Sequence, residues 1–349
     1  MRLHIERRTL RLARAMESAH GSVRERELFL VTLRDHDGAT GHGEGAPLHS
    51  YDGVSAARVE AAFERYREPL GGDPPPGADP QRHNELLLEA CGRADPLPQA
   101  LAAIDLALWD LAGKRVGRPV AELLGDRPRA CVTVNATILA LDRAGAAEEA
   151  ARAASDGYRC VKLKVGVGDD AGRVAAVRAA LGPGVALRVD ANGAWSVEEA
   201  VRAIEALEGA GLELVEEPVH GVEAVRRVRE RVSARVAIDE TAAQDGALAG
   251  GVADAVCLKL SRCGGISGLL DAAARARAGG AEVYVASTLD GPLGVAGAVH
   301  AAAALGGTGA LAPCGLATLG LLEGVGDPLP VMGGEIAVPR APGLGVDPP

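Results

Sequence analysis

Val161-Lys162-Leu163-Lys164 puts two lysines two residues apart, and Asp190, Glu216, Asp239 and Lys259 close the apolar runs that follow. Side chains alternate between the faces of a strand, so Lys162 and Lys164 share one side. Two ammonium groups held together out of water repel each other and lose solvation, and both effects are expected to lower a lysine pKa toward that of a neutral amine base. Asp190, Glu216 and Asp239 sit on three successive runs and would repel one another unless a cation lay among them. Hard oxygen ligands of this kind suit Mg²⁺, or Mn²⁺ in its place, with positions left open for water or substrate. Lys259 lies one run beyond the last carboxylate and across from Lys164, so a substrate held on the metal would meet an amine on each face. That arrangement suits removal of a proton next to a carboxylate, with the metal stabilising the enolate.

The elements that must position these residues follow from the runs themselves. Eight short apolar stretches, 131–134, 160–165, 185–189, 212–215, 236–238, 255–260, 283–286 and 310–314, alternate with Ala-rich helical segments. The charged residues at their ends recur at steps of 26, 26, 23 and 20 residues, about one strand plus one helix each. A parallel (β/α) barrel gathers strand ends at one mouth, whereas an open doubly wound sheet does not ask for polar residues at five consecutive ends. Residues 1–125 read differently. A buried-strand run from Leu28 to Leu33, turn residues at 35–38 and Gly43-Glu44-Gly45 predict a hairpin. Helical patterns over 55–70, 84–88 and 96–124 follow, broken by a Gly- and Pro-rich surface loop at 71–77.

The 349-residue chain carries a formal charge of −10, which leaves no basic footprint for nucleic acid or an anionic membrane surface. Six cysteines without a CxxC pair are read as reduced, small and buried, and with no secretory signal behind Met1 the expected location is cytoplasmic. Gly and Pro, together with Asp290 and His300, interrupt the weakly charged stretch 283–322, so no membrane span is expected. Gly166-Val167-Gly168 lacks the third glycine of a dinucleotide loop, because position 171 is Ala171. His300 is expected to be a packed helix residue. Trp109 and Trp195 are expected in the core or on the barrel rim, with substrate contact the alternative for Trp195.

Together, Lys162-Leu163-Lys164, Asp190-Ala191-Asn192-Gly193, Glu216-Glu217-Pro218, Asp239-Glu240 and Lys259-Leu260-Ser261-Arg262-Cys263-Gly264-Gly265 resemble the enolase superfamily, muconate-lactonizing subgroup. The runs 43–48 and 103–111 also look like that family's capping domain. The resemblance implies a modified (β/α)₇β TIM-type barrel over 126–318, an N-terminal α+β capping domain over 1–125, and a C-terminal tail, 319–349, that completes the cap. It assigns Mg²⁺ to Asp190, Glu216 and Asp239, and acid/base work to Lys164 and Lys259. Lys162 becomes an electrostatic neighbour of Lys164, with Asn192 and Glu240 supporting the site from behind. The first cap loop, 14–24, and the turn holding Tyr51 are expected to close over a small carboxylate substrate, and homo-oligomers are common in the family.

The subgroup shares this half-reaction among dehydratases, epimerases or racemases, and cycloisomerases, so the last strands must choose. Its dipeptide epimerases end the eighth strand in an Asp-x-Asp pair that holds the substrate's ammonium group, and 313–318 contains no carboxylate. That stretch, with Ser287, Thr288 and Asp290 as substrate contacts, is similar to the o-succinylbenzoate synthases. By that resemblance the expected reaction is dehydration of a cyclohexadiene carboxylate: Lys164 would take the proton and protonate the departing hydroxyl, while Lys259 stayed cationic. A dipeptide or N-acyl amino acid epimerase or racemase is the alternative, followed by a muconate-type cycloisomerase. A non-catalytic barrel would be free to lose Lys164 or Lys259, and both are present.

Overall fold

The computed structural model describes residues 1–18, 21–71, 80–309 and 311–349. Strands Arg2–Ser18, Gly21–Arg34 and Thr40–Gly45 form an antiparallel sheet in that order, the last two joined by the expected turn. Glycines at alternate positions of the third strand let helix Pro98–Val116 lie directly on it. A Cβ at Gly43 would come within 2.0 Å of the Ala103 carbonyl oxygen, and one at Gly41 within 2.0 Å of that of Ala107. Phe29, Val31 and Leu33 meet Phe63, Tyr66 and Ile104 beneath this contact, so the cap has its own apolar core. The helical pattern expected at 84–88 extends over Pro80–Ala94, and that over 96–124 divides at Gly117, whose φ of 66° ends the longer helix before Val120–Leu124 begins. Residues 72–77 of the expected surface loop lie outside the described residues.

Seven parallel strands then follow one another around a ring: Ala136–Ile138, Cys160–Lys164, Ala186–Asp190, Leu214–Glu216, Val236–Ile238, Ala255–Leu258 and Glu282–Val285. The eighth place is taken by Cys314 and Gly315, bridged to Val134 on one side and Ala286 on the other. The barrel is therefore closed, and its main apolar cluster lies between the strands and the surrounding helices, where Val161, Leu163 and Val189 meet residues such as Val174, Val177 and Ile204. Helices such as Asp170–Leu181 and Val197–Leu207 cover the outside, the latter begun by a capping box between Ser196 and Glu199.

The first strand departs from expectation. Cys131–Thr133 pairs antiparallel with Glu335–Ala337 from the C-terminal tail, and the first barrel strand starts at Ala136. The same tail reaches the cap. Leu322 bridges Leu12, the Leu344 amide donates to Asp110 Oδ1 at 2.8 Å, and His300 is held between the Ala121 amide and the Leu344 carbonyl. His300 is thus the packed residue expected, fully buried. Among the described residues all six cysteines are free, and no helix is long and apolar enough to cross a membrane.

Candidate active site

Parallel pairing brings the charged strand ends into line. Lys164 stands opposite Asp190, and Asp190 opposite Glu216, on three consecutive strands. Lys162 Nζ donates to Asp190 Oδ2 at 2.8 Å and Glu216 Oε1 at 2.7 Å, while Lys164 Nζ donates to Asp190 Oδ2 and Asn192 Oδ1, both at 2.7 Å. Asn192, in left-handed backbone at φ 46°, donates in turn from Nδ2 to Glu240 Oε1 at 2.9 Å. Lys259 Nζ contacts Asp239 Oδ2 and donates to Tyr51 Oη at 2.9 Å, and Tyr51 Oη donates to Asp239 Oδ1 at 2.8 Å. The Tyr51 ring lies 4.2 Å from the same ammonium, so a residue of the cap seats a lysine of the barrel.

The electrostatics correct one expectation. Burial opposes the charge on Lys162, but Asp190 and Glu216 outweigh it and raise its pKa. Lys259 behaves likewise through Asp239. Burial of Asp190 is likewise overcome by Lys162 and Lys164, which hold its carboxyl down. Burial raises Glu216, and Asp190 and Asp239 raise it further against Lys162. Glu216 therefore feels the charge of both of the other carboxylates. Glu216, Asp239 and Cys257 offer ligand atoms within 4.8 Å of one another. Two of these three donors are carboxylates, the hard oxygen type that suits Mg²⁺.

Lys162, Lys164, Asn192, Asp239 and Lys259 line one cavity of about 100 Å³ at the barrel mouth. Lys164 ends the second strand and Lys259 follows the sixth, four places apart in a ring of eight, so the two amines approach from opposite sides. Tyr51, Ser287 and Thr288 also line it. Asp290 does not. It turns away from the cavity, 2% exposed, and its carboxylate accepts from Thr288 Oγ1 at 2.8 Å. Trp195 is not among the lining residues either. The expected loop 14–24 is the end of a long hairpin, and Met16, Ser18 and Val23 bring it to the cavity; residues 19 and 20 lie outside the described set.

Sequence reasoning missed three supporting residues. Tyr284 donates from its hydroxyl to Glu216 Oε2 at 2.8 Å, and Arg188 lies against its ring in the layer below. Glu217, at φ 40°, accepts from the Asp239 amide at 2.7 Å and from the Thr241 amide at 3.0 Å, which fixes the turn carrying Asp239. The period-two position of Tyr284, two before Ala286, was the available signal for an inward side chain.

Residues 3–125 match the family described as mandelate racemase / muconate lactonizing enzyme, N-terminal domain, and residues 145–349 match enolase C-terminal domain-like. A hydrophobic dipeptide epimerase of Enterococcus faecalis is 30% identical over 312 residues, 86% of each chain. Muconate cycloisomerase 1 of Pseudomonas putida is 31% identical over 336 residues, 91% of this chain and 87% of that one. Among solved structures, the Enterococcus faecalis dipeptide epimerase complexed with Mg and L-Leu-L-Tyr superposes with a TM-score of 0.87 at 27% identity, covering 99% of this chain and 98% of that one. The N-succinyl Arg/Lys racemase of Bacillus cereus gives 0.90 at 25% identity, covering 99% and 94%. These relatives are isomerases, which favours the isomerase alternative over the dehydration suggested by the last strands. The paired lysines, the strand-end carboxylates and both matched domains place the chain in the enolase superfamily, within its muconate-lactonizing subgroup.

Proposed function

We propose that the chain is a two-base epimerase or racemase that moves the α-proton of an N-acylated amino acid. One observation carries the reading: Lys164 and Lys259 face a single cavity from opposite sides of the barrel, each within reach of a group bound between them. One Nζ takes the α-proton and the other returns a proton to the opposite face, which inverts the centre. Asn192 orients Lys164, and Tyr51 with Asp239 orients Lys259. Lys162 keeps its positive charge beside the place where the substrate carboxylate would lie.

Asp190, Glu216 and Asp239 would hold the divalent ion. Bound there, Mg²⁺ would supply positive charge to the substrate carboxylate as the proton leaves.

The cavity wall speaks to the α-nitrogen. Asp239, already bonded to Lys259 and Tyr51, is the single acidic residue among the described residues lining it, and no carboxylate follows Cys314 in the eighth position. A free ammonium would find no partner, whereas an amide suits the nearby Asn135, Thr137 and Ser287. The decisive experiment is ¹H NMR in D₂O with Mg²⁺, offering N-acetyl and N-succinyl amino acids, dipeptides, cis,cis-muconate and the o-succinylbenzoate precursor. Exchange and inversion at the α-carbon, faster for N-acyl amino acids than for dipeptides, is expected. Turnover of the muconate or loss of water from the precursor, without α-exchange in the amino acids, overturns the proposal.

A further inference from the structure

Arg26 is a cation from the second strand of the cap, yet it is 1% exposed. All three of its donor nitrogens are committed to backbone carbonyls. Nη1 donates to Pro47 at 2.6 Å, Nη2 to Ala46 at 3.0 Å and Nε to Leu289 at 3.3 Å. The first two carbonyls directly precede Leu48, Ser50 and Tyr51, which form the cap's wall of the cavity, and the third belongs to the barrel loop that forms the facing wall. A single planar guanidinium therefore spans both sides of the cavity from behind.

Leu289 itself is strained. Its φ is 60°, a region in which a branched side chain is seldom found, and its side chain lines the cavity. Its neighbours press from the same direction. Glu44 Oε1 accepts the Gly291 amide at 2.6 Å, and a Cβ at Gly291 would lie 2.6 Å from Glu44 Oε2. Asp290 faces this cluster instead of the substrate, its carboxylate tied to Thr288.

We infer that Arg26 is a positioning residue that fixes the distance between the Tyr51 and Leu289 walls and thereby sets the size of α-substituent admitted. The inference rests on the proposed α-proton transfer. Lysine at this position retains the charge but cannot match a planar fork across three carbonyls, and methionine keeps only the bulk.

The test compares kcat and KM for N-acetyl-alanine and N-acetyl-leucine in the wild type, R26K and R26M. In R26M, KM for the alanine substrate is expected to rise about tenfold with kcat within about threefold, because uniform binding is lost while the lysines are untouched. The ratio of kcat/KM for the alanine substrate to that for the leucine substrate should fall at least about fivefold, with R26K in between. A folded R26M with unchanged preference, or with kcat and KM lost together for both substrates, overturns the inference. Should R26M not fold, R26K carries the test: a fall in that ratio with kcat within about threefold supports the inference, and an unchanged ratio overturns it. If the wild type turns over the muconate instead of amino acids, the function reading fails alone, and the ratio is then read with muconate and its methyl-substituted form.

Discussion

At the residue scale, each lysine proposed as an acid/base group is defined by what it touches. Lys164 is held by Asp190 and Asn192, Lys259 by Asp239 and Tyr51, and no side chain is shared between the two sets. The two bases can therefore be removed independently. Lys164→Ala and Lys259→Ala are each expected to abolish inversion, by roughly 10³-fold, within the span usual for loss of a positioned acid or base. Each variant should still exchange the α-proton of one stereoisomer in D₂O, and the surviving stereoisomer should differ between them. ¹H NMR of enantiopure substrates reads this directly, and exchange of both stereoisomers by either variant would contradict opposed bases. Removing Asn192 should be milder, since it orients Lys164 without replacing it: Asn192→Ala is expected to lower kcat about 10-fold to 100-fold, with inversion retained.

At the element scale, what was legible was what repeats. One strand and one helix per step put Lys164, Asp190, Glu216 and Asp239 at comparable places, so their convergence could be read from spacing alone. Cys131–Thr133 could not, because its partner, Glu335–Ala337, lies some two hundred positions on in the tail. Nor could the direction of Asp290. Its strand end pointed to the mouth, but Arg26 and Glu44 from the cap draw the following loop the other way, and nothing local records that. The Glu44 contact carries a pH signature. Burial, and then Asp290, raise its pKa from 4.5 to about 8, against the Gly291 and Gly294 amides and Arg26. The folded state thus keeps a proton that the unfolded chain releases near 4.5. Stability from this group is full below that pH and is lost as pH rises toward 8. Urea unfolding at pH 5 and pH 8 should show a decline of a few kcal/mol that Glu44→Gln flattens; an equal decline in both proteins would remove Glu44 as its cause.

At the scale of the whole molecule, cap, barrel and tail are joined by contacts between buried groups. Asp105 on the cap helix accepts from the Ile266 amide at 2.6 Å, where the barrel helix Ile266–Ala278 begins, and so supplies the N-terminal cap which that helix lacks locally. His300 and Asp110 receive the tail. Such a chain should unfold in one transition, with no separate melting of residues 1–125. The carboxylates add a further link, since Asp190, Glu216 and Asp239 come from three strands and meet only in the finished barrel. An ion that binds them stabilises the folded chain and not the unfolded one, by about 2.7 kcal/mol at one hundred times its dissociation constant. Adding Mg²⁺ to chelator-treated protein is therefore expected to raise Tm by several degrees for wild type and for Lys164→Ala. Glu216→Gln, which keeps the volume but loses the charge, should show little or no rise. The comparison must be made between Tm with and without Mg²⁺ in each protein, because Glu216 also accepts from Lys162 and Tyr284 and its loss changes the baseline. An equal rise in Glu216→Gln and wild type would place the ion elsewhere than among these three strand ends.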